Sequence, residues 1–389
     1  MITQPFQLLV IFLGVIALSL WLVGRYSVAA KISPILIILG FTALLSNTGV
    51  IPTSGKFYDN LMDYALPFAV CLILLNVRLT DLKKAGMPML IAFAIASFCS
   101  FAACIVGGWI LIHQFNGALD GQGWKIVGPY IGTYIGGSLN FFSMWGALDM
   151  QNPSLLAAAN AVDNLTLVPI FAFWMVVPKF LEKFYPAPPT DAQIELANSI
   201  GKKSPTPFIL QDIVMLAFLA MFIMFVSKYI RVNILAKYIP SEYMSALPTI
   251  LIITTLALIC GRIKFIKNLK GMQDLGNVAF YLFFAGVGAL MDIPKAIKLA
   301  PVLFIFVAIV IVIQITLALL LGKIFKVNLR VLAVAELAAK AGPSTVIAYT
   351  NAKGWSYLSL PGAAAGLLGY AVGNYIGFAG AYLLKFILQ

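Results

Sequence analysis

The chain has 389 residues, of which 61% are hydrophobic and 10% charged, with a formal net charge of +12. An ordinary soluble domain is about one-quarter charged, so the composition excludes that class. The positive charge does not indicate nucleic-acid binding, because Lys and Arg sit mostly in short loops and no basic soluble module is present; membrane topology and anionic headgroups account for the pattern.

Apolar segments follow one another along the whole chain. In the first half they are 5–24, 32–47, 62–78, 87–113, 126–147 and 152–177. In the second they are 208–227, 243–260, 274–291, 299–322, 329–350 and 357–387. Many apolar runs exceed the ~18 residues that mark a spanning helix. The expected fold is an all-α polytopic membrane protein of about 12 spans (11–13) in two repeats, 1–178 and 208–389, joined by a polar linker over 179–207. The N-terminal segment lacks the charged start and small-residue cleavage site of a secretory signal, so it is expected to span. The expected setting is an integral membrane location, in a bacterium the inner membrane. Cys71, Cys99, Cys104 and Cys260 all fall in apolar runs and read as small buried hydrophobes. His113 ends a span, and no Cys/His cluster offers a zinc set. No cofactor is implied.

The halves read as a duplication. Asp63 to Asp81 matches Asp274 to Asp292 in length, and each is followed by Lys-Ala, at Lys84-Ala85 and Lys295-Ala296. Those four aspartates lie near span ends and read as solvated caps. Pro34-Ile35-Leu36-Ile37 resembles Pro248-Thr249-Ile250-Leu251. In half one the loops after spans one and three are basic (Arg25, Lys31, Lys83, Lys84); in half two the other set is (Arg262, Lys264, Lys267, Lys270, Lys323, Lys326, Arg330). Opposite bias implies inverted halves under the positive-inside rule. Six spans per half would instead make them parallel, so one crossing must be miscounted; the linker or Phe208 to Pro240 is the expected place.

Two spans are interrupted at corresponding places, at Gly136-Gly137-Ser138-Leu139-Asn140 and at Ala341-Gly342-Pro343-Ser344-Thr345. Gly can end a half-helix in the left-handed conformation, and Ser can cap the next one. Pro343 deletes a backbone donor. Each break is expected to make a discontinuous helix that crosses its counterpart near the midplane. Free amides there suit an anion and free carbonyls a cation. Gly136, Gly137, Ser138, Asn140, Gly342, Pro343, Ser344 and Thr345 are therefore the candidate substrate-binding residues. The bland alternative is that the glycines only allow close helix packing. Phe141, Phe142, Met144 and Trp145 read as packing residues.

Few charges lie deep in the spans. Asp163, Glu336 and Lys340 do, and Asn160, Asn164 and Asn374 accompany them. Intramembrane charges are costly and normally paired or water-facing. Glu336 and Lys340 can pair locally at four-residue spacing; alternatively Lys340 pairs with Asp163 across the core. Competition of proton, cation and lysine for one carboxylate would couple an ion gradient to transport. Asn160, Asp163 and Asn164 form a candidate sodium set.

Three segments carry a family resemblance: Tyr134 to Phe141, Ala157 to Leu165, and Glu336 to Ser344. With them the chain resembles an uncharacterised integral-membrane family, a domain of unknown function, grouped with the cation:proton antiporter and anion-transporter superfamily. That grouping implies a core (87–177 and 299–389) moving like an elevator against a panel (5–47 and 208–260), the panel also serving dimer contact. Antiporter relatives carry acidic residues where Asp163 stands, but in Asp-Asp or Asn-Asp order rather than Asp163-Asn164. The resulting expectation is a secondary transporter of a small organic anion or zwitterion, coupled to sodium or protons. The alternative is a sodium:proton antiporter without organic substrate. The sequence offers no nucleophile–base pair or metal set for an enzyme.

Overall fold

The computed structural model describes residues 2–26, 34–77, 86–115, 121, 123–186, 209–238 and 248–389, with Phe115 and Ser344 described by backbone alone. Lys31, Asp81, Lys83, Lys84, Pro240 and most of the expected linker (187–207) lie outside the described residues.

Among the described residues there is no strand. Thirteen helices have ten or more residues: α1 (Pro5–Arg25), α2 (Pro34–Asn47), α3 (Lys56–Leu75), α4 (Gly86–Phe115), α5 (Gly123–Gly136), α6 (Ser138–Ala147), α7 (Pro153–Val176), α8 (Leu210–Tyr229), α9 (Thr249–Cys260), α10 (Met272–Leu290), α11 (Ile293–Ile324), α12 (Leu329–Lys353) and α13 (Ser359–Ile387). Seven helical stretches are long and apolar enough to cross a membrane, and α2 and α9 are shorter apolar helices. Their starts follow capping chemistry. Asn152 and Asp292 each accept an N–H from the first turn, Leu155 at 3.0 Å and Lys295 at 2.9 Å, and Asn328 accepts from Arg330 at 2.9 Å. Asp292 is thus the cap its position suggested.

Two of the expected spans are folded back on themselves. The far ends of α12 meet at one side chain: Arg330 Cζ lies 5.3 Å and Lys353 Nζ 4.8 Å from the Trp355 ring. A straight helix of that length would hold its ends roughly 37 Å apart. The fold-back occurs at Gly342, with φ 74° and ψ −176°. The first break behaves alike. Gly137, at φ 71° and ψ 179°, separates α5 from α6, and Lys125 near the start of α5 donates to the carbonyl of Asp149 just past α6, at 3.4 Å. Positive φ with extended ψ is open essentially to glycine alone. This corrects the expected crossing of two through-going discontinuous helices: each break is the tip of a helical hairpin. It also corrects the expected conformation, which is not left-handed helical.

α13 runs past both hairpins and fixes their relation. A Cβ on Gly362 would strike Val334 and Val346, one from each arm of α12, while Gly366 lies against Pro343 at the tip. One turn on, Gly369 lies against Gly136, and near the far end Lys385 covers Trp124 at the mouth of the first hairpin, at 5.0 Å. The hairpins therefore enter from opposite ends of α13, and their tips meet halfway.

The α5–α13 contact is a glycine zipper. Cβ atoms placed on Gly369, Gly373 and Gly377 would meet Gly136 Cα at 3.0 Å, Gly132 O at 3.2 Å and Gly128 O at 2.7 Å. Both helices present glycine every fourth residue, which lets backbones approach where lipid gives no hydrophobic drive. The packing alternative thus describes Gly136, whereas Gly137 makes the break.

The remaining helices pack reciprocally. α2 packs on α10 while α9 packs on α3; α1 covers α2 and α10 while α8 covers α9 and α3. Large apolar side chains of α1 and α8 face outward, among them Phe6, Trp21, Phe218 and Phe225, as lipid-facing surfaces do.

Overfilling the zipper tests this packing. Gly373→Leu is expected to lower stability by roughly 2–3 kcal/mol, as overpacking of a tight core does. It should be read as a lowered unfolding midpoint in detergent. Gly14→Leu, where nothing lies within 4 Å of the added carbon, is expected to leave the midpoint unchanged.

Candidate functional site

The two tips touch. The Gly137 N–H donates to Thr133 O at 2.8 Å within its own hairpin and to Ala339 O at 3.2 Å in the other. A Cβ on Gly137 would sit 3.8 Å from Gly342 N. Around this junction the arms are almost wholly buried, yet Ser138, Pro343, Thr345 and Tyr370 are half-buried. They form an accessible island halfway along α13. Ser138 was expected to cap α6; it is instead the first helical residue, behind the N-cap Gly137. Pro343 takes the equivalent place in α12, where a missing N–H costs nothing. The α6 and second α12 N-termini thus both converge on the island, and helix N-termini favour negative charge.

Tyr370 was not singled out by the sequence reading. Its ring spans the junction: a Cβ on Gly137 would lie 3.4 Å from its Cε1, and one on Gly342 2.7 Å from its hydroxyl oxygen. A Cβ at Gly342 would push the tyrosine hydroxyl aside, whereas one at Gly137 would only touch the ring edge. Nothing in one sequence marks it, because its importance comes from α13 passing both tips.

Asn140 is turned away from the island. Its Nδ2 donates to Gly369 O at 2.9 Å, while its Oδ1 is buried without a partner. It fastens α6 to the zipper. Asn374, expected beside the ion-coupling residues, instead donates to Thr254 Oγ1 of α9 at 3.1 Å. Its helix has another neighbour there than the one its sequence counterpart Asn164 has.

The deep charges divide into two groups. Lys340 Nζ pairs with Glu336 Oε2 at 2.8 Å, both side chains inaccessible, and Gln314 Nε2 of α11 donates to the same oxygen. The local pairing is therefore the one formed; no ion pair joins Lys340 to Asp163 among the described residues. Asp163, 8% exposed, accepts from Thr133 Oγ1 at 3.2 Å. Between the groups stands Tyr134, whose ring centre is 5.6 Å from Lys340 Nζ. Asn164 Nδ2 donates to Asn160 O and Oδ1, each at 2.8 Å, so the two amides of the candidate sodium set bind one another. No group of three His, Cys, Asp or Glu side chains could hold a metal among the described residues.

The chain belongs to the family described as "Protein of unknown function (DUF819)", whose model matches residues 10–387. It is 29% identical over 388 residues to the "Uncharacterized membrane protein YjcL" of Bacillus subtilis (strain 168), a match covering 95% of each chain. With its apolar helices, this makes the chain an integral membrane protein that sits in a lipid bilayer.

The buried pair yields a stability prediction. Lys340→Met alone leaves Glu336 buried without its cation and is expected to cost about 3–5 kcal/mol. Adding Glu336→Gln should restore most of that loss in thermal-unfolding measurements in nanodiscs. A double variant as unstable as the sum of its singles contradicts the pairing.

Proposed function

We propose that the protein is a secondary transporter of a small anionic or zwitterionic organic solute, coupled to protons or sodium. The observation that carries this reading is the tip-to-tip meeting of two glycine-broken hairpins. Irregular backbone is tolerated at membrane depth only where protein buries it or it lines a polar cavity, and paired helix ends at mid-depth are how transporters grip cargo. Ser138, Thr345, Tyr370 and the two helix N-termini supply donors for a carboxylate. Gly137 and Gly342 allow the approach. Asp163, in range of the junction through Thr133 and lacking a cationic partner, supplies the coupling carboxylate, because an uncompensated buried charge must take up a proton or a cation.

The hairpins also bear on topology. If neither crosses, each half has five crossing helices, α1–α4 and α7, then α8–α11 and α13. An odd number makes the halves inverted, which resolves the conflict in the basic loops. On that topology the miscounted segments would be the two broken helices, where the sequence pointed to the linker or Phe208 to Pro240. Of the described basic residues other than Lys340, eleven (Arg25, Lys179, Lys183, Arg262, Lys264, Lys267, Lys270, Lys323, Lys326, Arg330 and Lys353) then lie towards one face and eight (Lys56, Lys125, Lys228, Arg231, Lys237, Lys295, Lys298 and Lys385) towards the other. That excess favours the first as the cytoplasmic face of a bacterial cytoplasmic membrane under the positive-inside rule. The reciprocal packing of α1–α3 with α8–α10 supports a two-fold-related panel, against which a core of α4–α7 and α11–α13 moves in an elevator-like shift. A homodimer through the panel fits the same arrangement. The second reading, a sodium:proton antiporter, is favoured by the lone Asp163 alone, since a carboxylate exchanging two cations needs no organic cargo.

Cysteine labelling tests the topology: positions 125 and 149 are expected to react from one side of the membrane, and 330 and 353 from the other. Labelling of 125 and 149 from opposite sides restores through-going helices. For coupling, proteoliposome uptake of a panel of carboxylates and amino acids should depend on an ion gradient, and Asp163→Asn should abolish that dependence while leaving the protein folded. Exchange driven by sodium and proton gradients alone, with no solute moved, selects the antiporter.

A further inference from the structure

Past the end of α7 the chain makes a short helical turn, and its ammoniums gather there with others from the ends of α11 and α12. Lys183 Nζ lies 5.0 Å and Lys323 Nζ 5.9 Å from the centre of one ring, Phe184. Lys179 stands about a turn earlier, and Arg330 and Lys353 share the Trp355 ring at the mouth of the second hairpin. The described residues of 176–186, 319–330 and 349–358 carry six Lys or Arg and one acid, Glu182, which Arg330 already holds at 2.5 Å. Burial, together with the Lys179 and Arg330 charges, holds the Lys353 ammonium below the usual lysine range, against the pull of Glu182. The backbone under this crowd of like charges is tied down: Tyr185 Oη donates to Leu319 O and Asn328 Nδ2 to Pro186 O, each at 2.8 Å.

What surrounds the Phe184 ring selects the kind of anion. Phe180, Phe184, Ile324 and Phe325 are all more than half exposed, at the ends of helices long and apolar enough to cross a membrane. A dissolved anion gains nothing from such a rim, whereas a lipid presents a charged head and apolar tails together. Lysine stems lie along apolar surface and leave the ammonium at headgroup level. We propose that the ends of α7 and α11 form a site for an anionic phospholipid, its phosphate between Lys183 and Lys323 and its tails against Phe180 and Ile324. Basic pockets between spanning helices hold such headgroups. A zwitterionic phospholipid offers the same phosphate but brings its own cation into the crowd of ammoniums, so net headgroup charge decides the preference. The bound lipid ties α7 to α11 at the end where the second hairpin is pinned. This goes beyond the transport reading and does not rest on it.

Titration of the delipidated full chain in neutral detergent with phosphatidylglycerol or phosphatidylcholine, read by native mass spectrometry and by the unfolding midpoint, tests the site. Phosphatidylglycerol is expected to bind more tightly, on the order of tenfold, and to raise the midpoint. Lys183→Gln with Lys323→Gln should weaken its binding roughly thirtyfold, the worth of two charges at a membrane surface, and remove the preference. Both lysines are exposed; Lys323→Gln alone, with a loss of about fivefold, serves if the pair does not fold. Lys264→Gln with Lys270→Gln removes the same charge from the segment between α9 and α10 and should leave the affinity unchanged. Equal losses in the two double variants mean diffuse attraction to a basic face and overturn the proposal. So does equal affinity for the two lipids. Displacement of phosphatidylglycerol by millimolar inorganic phosphate assigns the lysines to a dissolved anion and overturns it as well.

Discussion

Backbone that leaves a helix inside a bilayer must find partners, because no water is there to supply them. The structure meets this constraint with one peptide hydrogen bond between hairpins, from Gly137 N–H to Ala339 O. Each tip is the other's protein environment. The conformation that allows it, positive φ with extended ψ at both Gly137 and Gly342, is the same in both halves, so the two turns are copies in geometry although their flanking residues differ. A side chain at either position would be strained before any contact is considered, and it would also meet Tyr370.

Holding two tips together at mid-depth requires a straight rail, and α13 provides it. Lipid gives helices no hydrophobic reason to associate, so close backbone packing must supply the attraction. The glycines of α5 and α13 bring the backbones within contact, and Asn140 locks α6 to Gly369 O across the same seam. The second hairpin is held at its mouth instead. Arg330 pairs with Glu182 at 2.5 Å, Tyr349 donates to Trp174 O at 2.6 Å, and Lys353 donates to Met175 O at 3.1 Å. One hairpin is zipped along its length and the other is pinned at its base to the end of α7.

Much of this was legible in the residues. Hydropathy located each of the thirteen helices, most to within a few positions, with the starts of α3, α9 and α11 each about six residues from the expected one, because a lipid-facing or core-facing helix has no polar face to confuse the pattern. The breaks were legible because Gly-Gly-Ser and Gly-Pro-Ser are poor helix formers in otherwise apolar runs. Their direction was not. A kinked helix and a hairpin differ only in the dihedral angles of one glycine, and both leave the same sequence. On the topology proposed above, the basic loops held the missing information, since two non-crossing hairpins would produce their conflict with six crossings per half. Asn374 misled for a related reason. A residue matched by sequence position keeps its place on its own helix, but its neighbour depends on how the halves dock, and there it meets Thr254.

The division of the deep charges follows from the same docking. In hairpins that meet at their tips, Lys340 sits on the inward arm with Glu336 one turn behind it, so the local i,i+4 pair forms first and costs least in chain entropy. Lys340 then turns its remaining side to the Tyr134 ring. Asp163 keeps only the neutral Thr133 hydroxyl. A carboxylate so placed has no fixed ammonium beside it among the described residues, because Lys340 is already committed to Glu336.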